Sequence, residues 1–438
     1  MELVIALLIL VITMVIGVPV ALSFVASCAY MLVATGTDAK FLLPYGFSRV
    51  NSIVLLTLPM FILAGALMEH GGIGKKLISA VERLVGTIKG GLAVVTIISC
   101  AVFGAISGSS AATLTCIGSI MAPRLKENGY PEEIVGALIA SASVLGVLIP
   151  PSTIMILYSW TSNTSVLACF LATAVPGIVL ATLFSVSTYF MIRKNPNVVV
   201  YTKEELRERT RAEKEERKRT HEPGAFAAVL MPVIILGSIY GGILTPTEAA
   251  AISVAYALPV GWFIYKKLNF SILRTALTQA ATTTGVIMLM MITVQMLSRL
   301  YTQEQLPQMV LKLLTSISSN PQMIMLMVNF FMIILGMLMD DSSAVLLATP
   351  ILVPVVTTIG YSPIHFAAIL AVNLGLGCVT PPTAPLLYLS GRITNTETRV
   401  MLLPTLKYIV FAWLPTLILT TYIPQISMFL PTLMGYGD

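Results

Sequence analysis

The chain has 438 residues, of which 56% are hydrophobic and only 11% charged, and its mean hydropathy is +0.90. Soluble domains carry about a quarter charged residues, so a water-soluble enzyme is excluded. The net charge of +6 sits largely in one stretch, so it does not point to nucleic acid. Segments such as Ile5 to Thr37 and Ile134 to Ile192 contain no charge, and about 20 such residues cross the roughly 30 Å hydrocarbon core as a helix. Their runs of Leu, Ile, Met and Ala lack the alternation of a transmembrane barrel. An all-α polytopic membrane protein is predicted, with room for roughly a dozen segments.

At the N-terminus, Met1 and Glu2 lead straight into apolar residues without a basic region or clear cleavage site, which reads as a retained first span. Glu69 and His70 end an apolar run before Gly71-Gly72 and are placed at the interface. From Lys75 to Lys89, Leu77, Ile78, Val81, Leu84, Val85 and Ile88 share one helical stripe, with Lys75, Lys76, Glu82, Arg83 and Lys89 elsewhere. Such a helix lies flat in the interface. Gly91 to Ile106 is apolar, Ser107-Gly108-Ser109-Ser110 interrupts, and Ala111 to Ala122 resumes until Pro123. Neither piece spans a bilayer comfortably, which predicts a re-entrant helical hairpin with a polar tip at membrane depth. A different interruption follows at Ile149-Pro150-Pro151-Ser152-Thr153.

Between Arg193 and Glu222 lie 10 of the 26 Lys/Arg and 7 of the 20 Asp/Glu. Positive-inside bias makes this loop cytoplasmic, and its Glu/Arg spacings suit a solvated linker helix. Glu248, after Thr245-Pro246-Thr247, fits the first turn of a helix. A weaker amphipathic counterpart, Leu268, Ile272, Leu273, Ala276 and Leu277, follows Lys266 and Lys267. Met323 to Met339, Asp340-Asp341-Ser342-Ser343 and Ala344 to Val353 before Pro354 form a second predicted hairpin. His365, after Pro363, is expected to begin a helix near the surface. A second double-proline break is Thr380-Pro381-Pro382-Thr383-Ala384. The five cysteines are single and set in apolar runs, as packed thiols are, and three scattered histidines offer no metalloenzyme ligand set.

A shift of 231 positions aligns the two hairpins and the two breaks without a gap. Over positions 120 to 151, Ile120, Pro123, Gly129, Tyr130, Ala137, Ala140, Leu145, Gly146, Pro150 and Pro151 each match the residue 231 positions on. A period this long in a membrane protein points to transporter pseudo-symmetry, with a substrate site at the repeat interface. Inversion of the two halves is predicted.

Successive prolines unwind a helix, and unwound backbone inside a membrane is tolerated only where it is buried in protein or lines a cavity. Freed carbonyls with Ser and Thr hydroxyls make hard oxygen ligands suited to Na+. The following half-helix turns its N-terminus toward an anionic group. Ser109, Ser110, Ser152 and Thr383 are placed to cap these half-helices. Asp340 and Asp341 have two readings, a share in a cation site or helix capping. An aspartyl protease lacks a second intramembrane Asp elsewhere, and no nucleophile, base and oxyanion set can be assembled.

The run FGAISGSSAATLTCIGSIMAP, then GY and LIPPST, with LGMLMDD, TPILVP, GY, HFAAIL and TPPTAP later and LPMFILAGALM earlier, resembles the large membrane subunit (M type, DctM-like) of tripartite ATP-independent periplasmic (TRAP) transporters. The resemblance covers essentially the whole chain. It implies Na+-driven secondary import of an organic acid, of sialic acid or dicarboxylate type, delivered by a periplasmic substrate-binding protein across a bacterial inner membrane. It also implies a small membrane subunit (Q type), expected as a separate polypeptide, and an elevator fold of two inverted repeats. In that scheme residues 1–89 are scaffold plus arm helix, 90–192 and 321–438 the transport domain, 193–222 the linker, and 223–320 scaffold plus arm. One Na+ would sit among Ser107, Gly108, Ser109, Pro150, Ser152 and Thr153, another among Asp340, Asp341, Ser342, Thr380 and Thr383, with two or more ions in all. The substrate carboxylate would sit between the tips near Ser109, Ser110, Ser152 and Thr383, and the DDSS tip need not equal the SGSS tip. The sequence does not identify the substrate; contacts that distinguish a sugar acid from a dicarboxylate would be few and could come from Arg299, Asn373 or neither. Two rivals are a one-component Na+/carboxylate symporter and a non-transporting membrane scaffold.

Overall fold

The computed structural model describes residues 2–85, 90–199 and 223–437; most of the charged linker lies outside them. Helices α1 (Glu2–Val15) and α2 (Val20–Thr35) form an antiparallel pair, followed by α3 (Leu42–Val50), α4 (Thr57–His70) and α5 (Ile73–Val85). Next come α6 (Gly91–Ser107), α7 (Ser110–Glu127), α8 (Glu132–Ser143), its short continuation α9 (Leu145–Leu148), α10 (Thr153–Ser162) and α11 (Val166–Ile192). Beyond the linker lie α12 (Phe226–Tyr240), α13 (Pro246–Pro259), α14 (Phe270–Gln303), α15 (Leu306–Ile317), α16 (Pro321–Leu338), α17 (Asp341–Thr358) and α18 (Pro363–Val379). The chain closes with α19 (Pro385–Thr394), α20 (Thr398–Tyr408), α21 (Leu414–Tyr422) and α22 (Pro424–Leu433), and π-helical turns extend α13 and join α20 to α21.

Seven helical segments among the described residues are long and apolar enough to cross a membrane, or eight when the bent path from Glu132 to Ser162 counts as one. This is fewer than the dozen expected because much of the apolar sequence goes into shorter helices of 10–17 residues, α6 and α18 among them. The prolines that were expected to end the hairpin arms do not. α7 runs through Pro123 to Glu127, and α17 through Pro350 and Pro354 to Thr358. One lost amide donor in a long helix is absorbed by its neighbours.

Two groups of helices result. α1 to α4 pack with α13 and α14, whereas α6 to α11 pack with α16 to α22. They meet where α4 touches α6 and where α14 and α15 touch α17. Of the stripe foreseen from Lys75 to Lys89, Leu77, Ile78 and Val81 on α5 are buried while Lys75 is exposed; the side chains of Leu84, Val85 and Ile88 lie outside the described residues. α5 packs on α6, and Glu82 is tied to Arg124 of α7 at 3.1 Å. Its counterpart is not the predicted segment around Leu268 to Leu277, which enters the 34-residue α14. The counterpart is α15, which begins near the 231-residue image of Ile73 and packs on α17. Its Lys312, Leu313 and Thr315 face outward, a more uneven stripe that is harder to read from sequence.

The two repeats interlock head to tail. α10 of the first packs on α17 of the second, and α19, the image of α10, packs on α7, the image of α17. Lys126, at the far end of α7, donates to the Thr394 carbonyl at the end of α19 at 2.7 Å. At the other end, the Tyr158 hydroxyl of α10 donates to the Pro363 carbonyl at the start of α18 at 2.6 Å. The start of each broken helix therefore lies by the end of the other, which is the predicted inversion. Val199 donates to the Asn128 carbonyl, so the Gly129 turn lies beside the start of the charged segment, whose positive-inside bias is the ground for expecting it on the cytoplasmic side. The Gly360 turn lies at the opposite end.

Local signals explain several helix starts. Thr245 and Glu248 form a reciprocal capping box at α13, as expected of a first-turn acid. Asn269, Asn320 and Ser362 cap α14, α16 and α18 through their side chains. All five cysteines are free and buried. His365 departs from expectation: it is 3% exposed, and its Nε2 lies 2.7 Å from the Thr420 carbonyl, because α21 closes over the start of α18.

Candidate functional site

The tip of the first hairpin can turn because Gly108, at φ +62°, takes the left-handed conformation that ends α6. Ser109 then caps α7, accepting from the Ala112 amide. The tip docks on the first double-proline break. Thr153 donates to the Gly108 carbonyl through its hydroxyl at 2.7 Å and through its amide at 3.3 Å. The break bends the path by 44°, and both Pro150-Pro151 and Pro381-Pro382 are cis. The tip therefore meets this path at its break, inside the bent segment from Glu132 to Ser162.

Close approach of the hairpin to the broken helix depends on two glycines. A Cβ on Gly104 would lie 2.1 Å from Gly146 Cα. The second repeat makes a similar crossing one residue further along the hairpin, where a Cβ on Gly336, the image of Ala105, would lie 3.0 Å from Gly377 Cα. Small residues let helices approach closely where lipid supplies no hydrophobic drive. A Cβ on Gly146 would also meet the Thr113 hydroxyl at 2.6 Å and the Ser109 carbonyl at 3.2 Å. The Ser107 hydroxyl is 3.1 Å from Thr113 Oγ1. In the break that docks on this tip, Ser152 is fully buried, and its hydroxyl has no hydrogen-bond partner among the described residues. Neutral oxygens thus gather around the first crossing.

The second repeat differs in chemistry. The images of Ser107 and Thr113 are Leu338 and Ala344, so its junction lacks those hydroxyls. The Thr383 hydroxyl donates to the Met337 carbonyl just before the tip, whereas Thr380 turns back onto the Leu376 carbonyl at 2.6 Å. Asp340 caps α17, accepting from the Ser342 amide at 3.0 Å, the Ser343 amide at 3.3 Å and the Ser343 hydroxyl. Asp341 is no cap. It is buried between the tips, accepting from the Ser110 hydroxyl at 2.5 Å and the Cys378 thiol at 2.8 Å. Of the two acids, Asp340 takes the capping role and Asp341 does not.

Of the four residues expected to cap half-helices, only Ser109 does so. Ser110 is taken by Asp341, and Ser152 occupies the N-cap position of α10 without a side-chain bond. Thr383 precedes the N-cap position of α19, which Ala384 holds at φ +35°. Ser342 and Pro150 lie at the tip and break as expected. Thr113, Gly146 and Cys378 were missed. Thr113 lies three and four residues after Ser110 and Ser109, the helical spacing that faces the tip, and this could have revealed it. Cys378 has no such sequence signal. Neither residue named for discrimination reaches the tips by a hydrogen bond or ring contact. Asn373 is buried against Asn329 and the Ile369 carbonyl, and Arg299 lies over the Tyr45 ring of α3.

Residues 7–426 match the family described as Tripartite ATP-independent periplasmic transporter, DctM component. The chain belongs to this family. It is 33% identical over 424 residues to the Sialic acid TRAP transporter large permease protein SiaM of Vibrio cholerae, covering 96% of this chain and 97% of that one. It is also 33% identical to the C4-dicarboxylate TRAP transporter large permease protein DctM of Pseudomonas aeruginosa, covering 89% and 88%. The Isethionate TRAP transporter permease protein DctMQ of Oleidesulfovibrio alaskensis is 32% identical over 95% of this chain, which spans 64% of that longer protein. The fold is similar to the crystal structure of the Alcanivorax borkumensis YdaH transporter, with a TM-score of 0.65 at 14% identity over 92% of this chain and 97% of that one. The chain is therefore a TRAP large permease, a multi-pass transporter subunit and not an enzyme, and its two tip-to-break junctions form the candidate site of that permease.

Proposed function

We propose that this TRAP permease imports an organic anion by Na+ symport across the bacterial inner membrane, taking its substrate from a periplasmic binding protein and working with a small membrane subunit. The buried, unpartnered hydroxyl of Ser152 carries the reading, one residue before Thr153, which bonds the Gly108 carbonyl of a tip where Ser107, Thr113 and the Ser109 carbonyl also gather. Buried neutral oxygens of hydroxyls and carbonyls are hard ligands of the kind that suits a small cation such as Na+. We assign one Na+ to this junction, with Gly108 and Thr153 holding its walls in place, and a second to the junction of Asp341, Ser342 and Thr383. No Lys, Arg or His pairs with Asp341 among the described residues, so a cation near it would offset a buried negative charge that is otherwise costly. The substrate carboxylate is assigned to the space by Ser109 of the first tip and Thr383 of the second break, hydroxyl-bearing residues that are not buried.

In this mechanism the helix group containing both hairpins and both broken helices moves as an elevator against the group built on α1 to α4, α13 and α14. Bound Na+ completes the site and neutralises it, so the loaded domain crosses without unpaired charge. The sialic acid, C4-dicarboxylate and isethionate permeases among its relatives define the substrate panel. The test is uptake of each acid into liposomes holding the permease with its small subunit, with and without the binding protein. A Na+ gradient should drive uptake of one acid, and only with the binding protein present. Uptake without the binding protein would make the chain a one-component symporter. Absence of uptake for every acid, with the assembled complex intact, would leave the scaffold role.

A further inference from the structure

The outer face of α20 and the π-helical turn after it carries Leu403, Leu406, Val410 and Phe411, all exposed, as a surface turned to lipid tails is. Among them stands Lys407, exposed and without an acidic partner among the described residues. Beside it a groove of about 550 Å³ runs between α11 and this segment, lined by Val186, Ser187, Phe190, Met191, Lys407 and Phe411.

The groove follows from how the two helices are clamped. On their inner side the Thr188 and Tyr408 hydroxyls lie 2.8 Å apart, and Phe184 makes edge contacts with Tyr408 at 5.5 Å and Trp413 at 5.7 Å. The π-helical turn Ile409–Trp413 widens the helix at this level. The packed inner side and the widened backbone leave the outer side open. Ser187 is five residues before the end of α11 at Ile192, about 8 Å at 1.5 Å per residue, so the groove opens near the cytoplasmic end. There Arg193 stacks over the Phe190 ring at 4.9 Å, and Lys194 follows it, exposed.

A lysine facing hydrocarbon is costly, and its long stem lets the ammonium rise to the headgroup layer. A cationic rim over an apolar groove between transmembrane helices matches the headgroup and tail of an anionic lipid. A free phosphate would leave the groove unused, and a zwitterionic headgroup would bring its own cation to a cationic rim. We propose that this groove binds one anionic phospholipid of the cytoplasmic leaflet, with its phosphate on Lys407 and an acyl chain along Val186, Phe190, Met191 and Phe411.

Native mass spectrometry of the full chain, with phosphatidylglycerol or phosphatidylcholine added at equal concentration, tests this. Wild type should retain phosphatidylglycerol preferentially. Lys407→Gln should weaken that retention about fivefold, the worth of one basic residue at an anionic surface. Val186→Trp, which fills the groove and leaves every charge in place, should weaken retention too, while Lys312→Gln on α15 should not. Size-exclusion profiles identify any variant that fails to fold, and the other variant then carries the test. Equal retention of both lipids by wild type would overturn the proposal, as would undiminished phosphatidylglycerol retention in both folded groove variants.

Discussion

Ser110 and Asp341 occupy equivalent positions in the two repeats, 231 residues apart, and they hydrogen bond to each other at 2.5 Å. A residue and its own symmetry image can touch only near the pseudo-two-fold axis. That axis therefore passes between the two hairpin tips, and the identities at this point, a hydroxyl and a carboxylate, break the symmetry in favour of one bond. Removing the donor leaves the carboxylate with Cys378 alone. Ser110→Ala should lower stability by about 1.5–3 kcal/mol, the usual worth of a hydrogen bond to a charged group. Thermal unfolding in detergent measures it, and an unchanged midpoint would show that the tips are held by other contacts.

The Gly104 and Gly146 crossing leaves no space for a methyl group, and the obstacle is backbone, which cannot rotate away. Gly104→Ala should destabilise by at least about 1–3 kcal/mol, the usual cost of overpacking, and abolish uptake. Gly285→Ala on α14 is the matched control, because a Cβ there meets nothing within 4 Å. It should be neutral or stabilising by up to about 1 kcal/mol. Comparing the two melting temperatures separates close packing from helix propensity.

The Ser152 hydroxyl has no hydrogen bond among the described residues to lose, so Ser152→Ala should leave thermal stability unchanged. If its oxygen coordinates Na+, half-maximal uptake should require about tenfold more Na+, corresponding to about 1.4 kcal/mol. A Na+ titration of transport decides this, and an unshifted curve in a stable variant would remove Ser152 from the ion site.

Inversion makes a prediction about sidedness. Glu127 and Thr358 are symmetry images and both are exposed. In a background cleared of native cysteines, Glu127→Cys should react with a membrane-impermeant maleimide only from the cytoplasmic side and Thr358→Cys only from the periplasmic side. Gly129 is a poor choice for labelling, since a Cβ there would lie 1.9 Å from the Asn197 carbonyl. Labelling of both cysteines from one side would contradict the head-to-tail arrangement.

Composition alone determined that this chain lives in a membrane, because 11% charge cannot cover a water-exposed surface of this size. The fixed offset of 231 determined the repeat, and the paired prolines located the breaks, since proline acts through its own ring and its missing amide, both local properties. The folded structure decided what local chemistry could not. It separated Asp340, whose partners are its own neighbours in sequence, from Asp341, whose partners come from another hairpin and another helix. It sealed Ser152 and exposed Thr383, although the two are symmetry images, because burial depends on what packs above a residue. It also drew Thr113 and Gly146 into the site, through a crossing of two helices that no window of sequence contains.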